Sequence, residues 1–220
     1  MSKNHKNNLI NIANNKYNQL LSFLFFVLIA APFSKPNGFL GLLLPIFFLG
    51  LLITTIYSFL NFKTLLVYLI LGGSFFFLRV FAWLNDFSAV NNLRLAIAIS
   101  LVNAIFMALS IYFVIKEIFS RKIITVDAIK GGIVVYLLLG LLWFELYRLI
   151  NWFIPNSFSS NEEFELLHFS FITLSTVGYG DILPISKFAK ILANLEGIVG
   201  VLYPTIFIAR LVSLYERDRL

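Results

Sequence analysis

From residue 20 onward, long apolar runs alternate with short polar breaks, and the breaks mark out the elements. Residues 20–33 form an apolar run that is short for a span. After the turn Lys35-Pro36-Asn37-Gly38, residues 39–60 give enough apolar length to cross a hydrocarbon core of about 30 Å. Asn61 and Lys63 break the pattern before a third run at 65–84, where Gly72-Gly73 permits close helix approach and Arg79 lies near the far end. Asn85 and Asp86 open the next break. A fourth run covers 93–115, a fifth about 131–153 and a last one about 186–215. Residues 163–175, between the last two, are too short to cross but long enough for about three helical turns. The pattern predicts an all-α membrane protein with six transmembrane helices and one re-entrant helix between the last two.

Composition agrees, because a 220-residue chain that is 60% hydrophobic and 13% charged, with mean hydropathy +0.89, cannot hide its side chains in one soluble core. The net charge of +6 would suggest nucleic acid in a soluble protein, but here Lys and Arg gather at the ends of apolar runs. Nucleic-acid binding is therefore not expected. With no Cys there are no disulfides and no thiolate metal sites.

Charge also orients the spans. Residues 1–19 carry Lys3, Lys6 and Lys16 among seven asparagines, so they read as a mobile or interfacial basic tail. Lys116, Arg121, Lys122 and Lys130 make the most basic connector, within which Thr125-Val126-Asp127 is a candidate helix cap. Six spans put these residues, Lys63, Arg210, Arg217 and Arg219 on one side. That is eleven of the seventeen basic residues, and the positive-inside rule makes this side, with both termini, cytoplasmic. The alternative at Ala30-Ala31-Pro32 is a cleavable signal peptide, which would leave the next span starting outside in either case.

A voltage sensor would place Arg or Lys at every third position of the fourth span. No charge occurs between Arg94 and Lys116, and no Asp or Glu precedes Asp86. The chain thus divides into a tail (1–19), a four-helix sensor-like membrane domain without gating charges (20–119), a linker (120–130) and a last unit (131–220).

The last unit holds the chemistry. In Thr176-Val177-Gly178-Tyr179-Gly180-Asp181, Gly178 and Gly180 tolerate left-handed dihedrals at alternate positions. Such a backbone can aim consecutive carbonyls at one axis, where oxygens replace the hydration shell of an ion. On these residues the chain resembles the tetrameric pore-loop potassium channel family, of the small six-span kind found in prokaryotes. The likeness is strong over about 130–216 and weak before it.

The resemblance implies a homotetramer conducting K+ passively through a central pore in the cell membrane, with K+ as permeant ion and no cofactor. It implies carbonyls of Thr176, Val177, Gly178 and Tyr179 at the ion sites, the Thr176 hydroxyl closing the innermost one, and Gly180 completing the filter. Thr173, six residues before Tyr179, stands where the family places a hydroxyl that holds the filter tyrosine. His168 stands where many members have a Trp bonded to the Asp after the filter, so a His168–Asp181 bond is expected. Phe169 and Ile172 depart from the family, the second by removing a carboxylate behind the filter.

Residues 156–161 correspond to the turret. Glu162, Glu163 and Glu165 would concentrate cations around a fourfold mouth. Gly200 falls at the usual hinge, Gly197 lies one turn earlier, and Pro204 adds a second place to bend, although close packing explains a helix glycine as well. Glu145 and Arg148, three residues apart, read as a local ion pair. Glu196 is costly inside a membrane unless it is paired, protonated or wet, so Arg148 or a hydroxyl on 163–175 is expected to satisfy it, with a role in proton-dependent gating as the alternative.

The chain stops soon after its last helix, so no attached ligand-binding domain is expected. A secondary transporter would show echoed halves with broken helices, and an uptake transporter related to channels would carry four degenerate filters. Neither pattern is present. A non-conducting or partner-dependent channel-like subunit, or a less selective cation channel, stays open. No nucleophile triad or metal cluster is present to suggest an enzyme.

Overall fold

The computed structural model describes residues 3–33, 62–84, 93–120 and 126–217. The predicted second span, the loop at Asn85 and Asp86, the Thr125 cap and much of the basic connector lie outside the described residues. Among the described residues, six helices are defined: α1 (Lys3–Ala30), α2 (Phe62–Leu84), α3 (Leu93–Ser120), α4 (Val126–Phe153), α5 (Glu163–Leu174) and α6 (Lys187–Arg217). A short 3-10 turn, Ala31–Phe33, follows α1. The described residues are all-α, and α3, α4 and Lys187–Tyr215 of α6 are long and apolar enough to cross a membrane.

Helix α4 is the hub, packing against α1, α3, α5 and α6, while α2 packs on α3. Three glycines let large side chains reach its axis. A Cβ at Gly132 would lie 2.2 Å from the Phe207 ring of α6, one at Gly140 would lie 2.6 Å from the Phe171 ring of α5, and one at Gly131 would lie 3.0 Å from Ile118 of α3. Helix α4 includes Val126-Asp127, the stretch read as a candidate cap, and runs on through Gly131-Gly132. Neighbours fill the Gly131-Gly132 pair, so it does not break the helix, and Asp127 in the first turn opposes the helix dipole favourably.

Helix α1 is helical from Lys3, through the stretch expected to form a mobile or interfacial basic tail. Its anchor is Tyr17, buried with Leu20 and Leu24, whose hydroxyl donates to Glu117 Oε2 of α3 at 2.7 Å. Burial of the ring and a partner for its hydroxyl favour order over a solvated tail.

Two apolar cores share α4. One joins α1, α3 and α4 through Leu24, Phe106, Val114, Val134 and Leu138. The other joins α4, α5, α6 and the flanking loops through Tyr147, Phe158, Phe169, Leu174 and Ile182. Helix α6 is the least covered, with 11% of its apolar window buried against 56% for α4. Its free face, including Ile191, Leu195, Ile198, Leu202 and Ile206, needs lipid or other protein to cover it.

Candidate functional site

The loop from 175 to 182 is held at both ends by local hydrogen bonds. Before α5, residues 157–159 meet residues 183–186: Ser159 N–H donates to Leu183 O at 2.9 Å, Ile185 N–H to Ser157 O at 2.7 Å, and Phe158 and Pro184 form an antiparallel bridge. This closes a ring of chain containing α5 and the Thr176–Gly180 segment. At the other end, Ser175 Oγ donates to Phe171 O at 2.7 Å, and the amides of Val177 and Gly178 both reach Ile172 O, at 2.9 and 3.1 Å.

Within that frame the backbone alternates. Thr176, Gly178 and Gly180 have φ of +61°, +53° and +80°, while Val177 and Tyr179 are not left-handed. Alternation of this kind turns successive carbonyls to one side of the strand. Gly178 and Gly180 were anticipated at such positions; Thr176 was not, and a non-glycine residue there is strained and persists only where its surroundings fix it. Val177 and Tyr179 are 54% and 72% exposed in the single chain.

His168 Nε2 lies 3.1 Å from Asp181 Oδ2, and Asp181 Oδ1 accepts the Ile182 amide at 3.1 Å. The His168 ring stacks on Tyr179, with centroids 6.2 Å apart and planes 13° apart. Thr173 accepts the Thr176 amide at its carbonyl, and its hydroxyl makes no hydrogen bond among the described residues.

Behind the loop, Phe169 packs in an aromatic trio with Tyr147 and Phe158, all centroids within 5.4 Å. Tyr147 is hydrogen-bonded to Glu196, and Ser170 Oγ lies 2.7 Å from Glu196 Oε1. Glu196 is fully buried and its partners are therefore hydroxyls of α4 and α5, not Arg148.

Arg148 is instead committed to Glu145 at 3.2 Å and Glu163 at 2.6 Å, between the rings of Phe144 and Trp152. Asn103 of α3 adds a 2.6 Å bond to Glu145, so the pair expected to be local ties three helices together.

Helix α6 runs unbroken through Gly197, Gly200 and Pro204. Gly200 presses against the last turn of α5: a Cβ there would sit 2.0 Å from Leu174 O, whereas one at Gly197 would meet nothing within 4 Å. The Leu174 carbonyl also accepts the Tyr136 hydroxyl at 3.2 Å. At its far end α6 reaches α3, where Arg210 donates to Phe119 O at 3.2 Å.

Sequence reasoning did not find Tyr147, Tyr136 or Asn103, while Ser170 is one of the hydroxyls of 163–175 expected to serve Glu196. A carboxylate with no cation nearby on its own helix was the one signal that hydroxyl partners had to exist.

Compared with known proteins, residues 129–217 match a protein-family model described as "ion channel". The matched residues run from the first turn of α4 through α5 and the loop to the end of α6. The match supports an ion channel and a membrane-spanning protein. No curated protein and no solved structure matches the chain.

Proposed function

We propose that this chain is a potassium-selective channel, with four copies arranged around a central pore and one 176–180 loop contributed by each. The observation that carries the reading is the alternating left-handed backbone at Thr176, Gly178 and Gly180, directly after a helix too short to cross the membrane. Carbonyls of Thr176, Val177, Gly178 and Tyr179 would replace water around K+. One loop cannot encircle an ion, and exposed Val177 and Tyr179 call for neighbouring copies. The bare apolar face of α6 supports the same assembly, with α6 as inner helix, α4 as outer helix and α5 as pore helix.

On this reading the protein has six spans in the cell membrane, both termini cytoplasmic, and conduction is passive. Because the fourth span carries no charge between Arg94 and Lys116, opening is not strongly voltage-dependent. The match to an ion-channel family and the lack of a nucleophile triad favour a non-enzymatic role.

The test is flux from vesicles containing only the purified protein, under a potassium and then a sodium gradient, with Gly178→Ser as control. Potassium flux above sodium flux that vanishes in the variant supports the proposal. Equal fluxes favour a less selective cation channel, and no flux favours a subunit that needs a partner.

A further inference from the structure

Between α4, α5 and α6 the hydroxyl and carboxyl protons can be counted. Tyr147 has one hydroxyl proton and lies against Glu196 Oε2. Ser170 has one, yet its Oγ is 2.7 Å from two oxygens, Gly140 O and Glu196 Oε1. A backbone carbonyl only accepts, and so does an ionised carboxylate. Three oxygen pairs at bonding distance require three protons, and the two hydroxyls supply two. The remaining source is Glu196 itself.

We infer that Glu196 carries a proton and in that form is the positioning residue that locks the pore helix between the outer and inner helices. The carboxyl O–H at Oε1 donates to Ser170 Oγ, Ser170 donates to Gly140 O, and Tyr147 donates to Glu196 Oε2. Every polar atom of the set is then satisfied, as a buried site demands. An ionised Glu196 would leave Ser170 with two acceptors for one proton, and either Gly140 O or Glu196 Oε1 would face another oxygen unbridged.

The surroundings fit. Tyr147, Ser170 and Glu196 are fully buried. From α4, Tyr136 is the other titratable group near Glu196, and its hydroxyl is given to Leu174 O. Arg148 is held by Glu145 and Glu163, and among the described residues no Lys, Arg or His forms an ion pair with Glu196. Helices α1 to α3 contribute no described partner. Ser170 lies on the pore helix four residues before Leu174, which leads into the filter, so the clamp sets where the filter begins.

Only its consequence for conduction rests on the channel proposal; the proton count does not. The full chain is placed in vesicles in the buffer used for flux, and infrared spectra of wild type and Glu196→Gln are compared. A protonated carboxylic acid carbonyl band that disappears in the variant is expected. A carboxylate band lost in its place would overturn the inference.

Thermal unfolding gives a second readout. The glutamine amide donates where the acid O–H donates, so Glu196→Gln should unfold at the wild-type temperature. Glu196→Leu strands the Tyr147 hydroxyl, so it should unfold lower and lose potassium flux. Equal destabilisation by Gln and Leu would contradict a protonated acid. If wild type conducts nothing, the channel proposal fails while the infrared comparison still decides the proton.

Discussion

Gly200 separates two accounts of the inner helix, since a hinge glycine and a packing glycine respond differently to one added methyl group. At Gly200 that carbon would stand 2.0 Å from Leu174 O and 2.9 Å from Leu174 C, whereas ordinary contact begins at 3.4 Å. The obstacle is backbone at the end of α5, so no rotamer change relieves it. Helices α5 and α6 would have to part locally by about 1.4 Å, the difference between 3.4 and 2.0 Å. Forcing extra volume into a packed interior costs about 1–3 kcal/mol, which exceeds the ~1 kcal/mol that Ala gains over Gly in a helix.

Gly197 is the internal control, because no described residue beyond its own helix backbone and chain neighbours lies within 4 Å of a Cβ there. Gly200→Ala should therefore lower the unfolding temperature of the purified protein and reduce potassium flux, while Gly197→Ala should leave stability equal or slightly raised. A pure hinge would make both variants equally stable and merely stiffer. Wild-type stability in Gly200→Ala would refute the packing argument.

Other predictions test the site and its frame. His168→Phe removes the 3.1 Å contact to Asp181, and current should decay faster during sustained opening; unchanged decay removes the bracing role. Arg148→Met leaves Glu145 buried with Asn103 as its remaining partner, and losing one member of a buried pair costs about 3–5 kcal/mol. Thermal unfolding should show that loss, whereas Lys190→Met, at an exposed site, should not. The conductance–voltage relation should be shallow in symmetric potassium without blocking ions, and a steep curve there would contradict the missing gating charges.

The left-handed positions at Gly178 and Gly180 were legible because the stretch is contiguous: five residues carry both the carbonyls and the glycine positions. The bounds of α5 were equally readable, since apolar length alone sets 163–174 apart from a spanning helix. His168 and Asp181 lie 13 residues apart, near enough for motif alignment to pair them.

What stayed hidden was long-range. Tyr147 and Glu196 are 49 residues apart, and no local pattern says which of nine tyrosines reaches a buried acid. The Arg148–Glu163 contact was not anticipated, because Glu163 comes within reach only once α5 folds back against α4. The Gly200 contact was equally invisible, because a hinge and a close approach call for the same residue. Hydropathy could find the helices, but it says little about Tyr17, whose hydrogen bond to Glu117 links α1 to α3.

The central claim is selective conduction through the 176–180 loop, and the reversal potential tests it most directly. Purified protein in a planar bilayer would face potassium on one side and sodium on the other. The account predicts a current that reverses far toward the potassium equilibrium potential and disappears in Gly178→Ser. A reversal near zero, or a current untouched by the substitution, would contradict it.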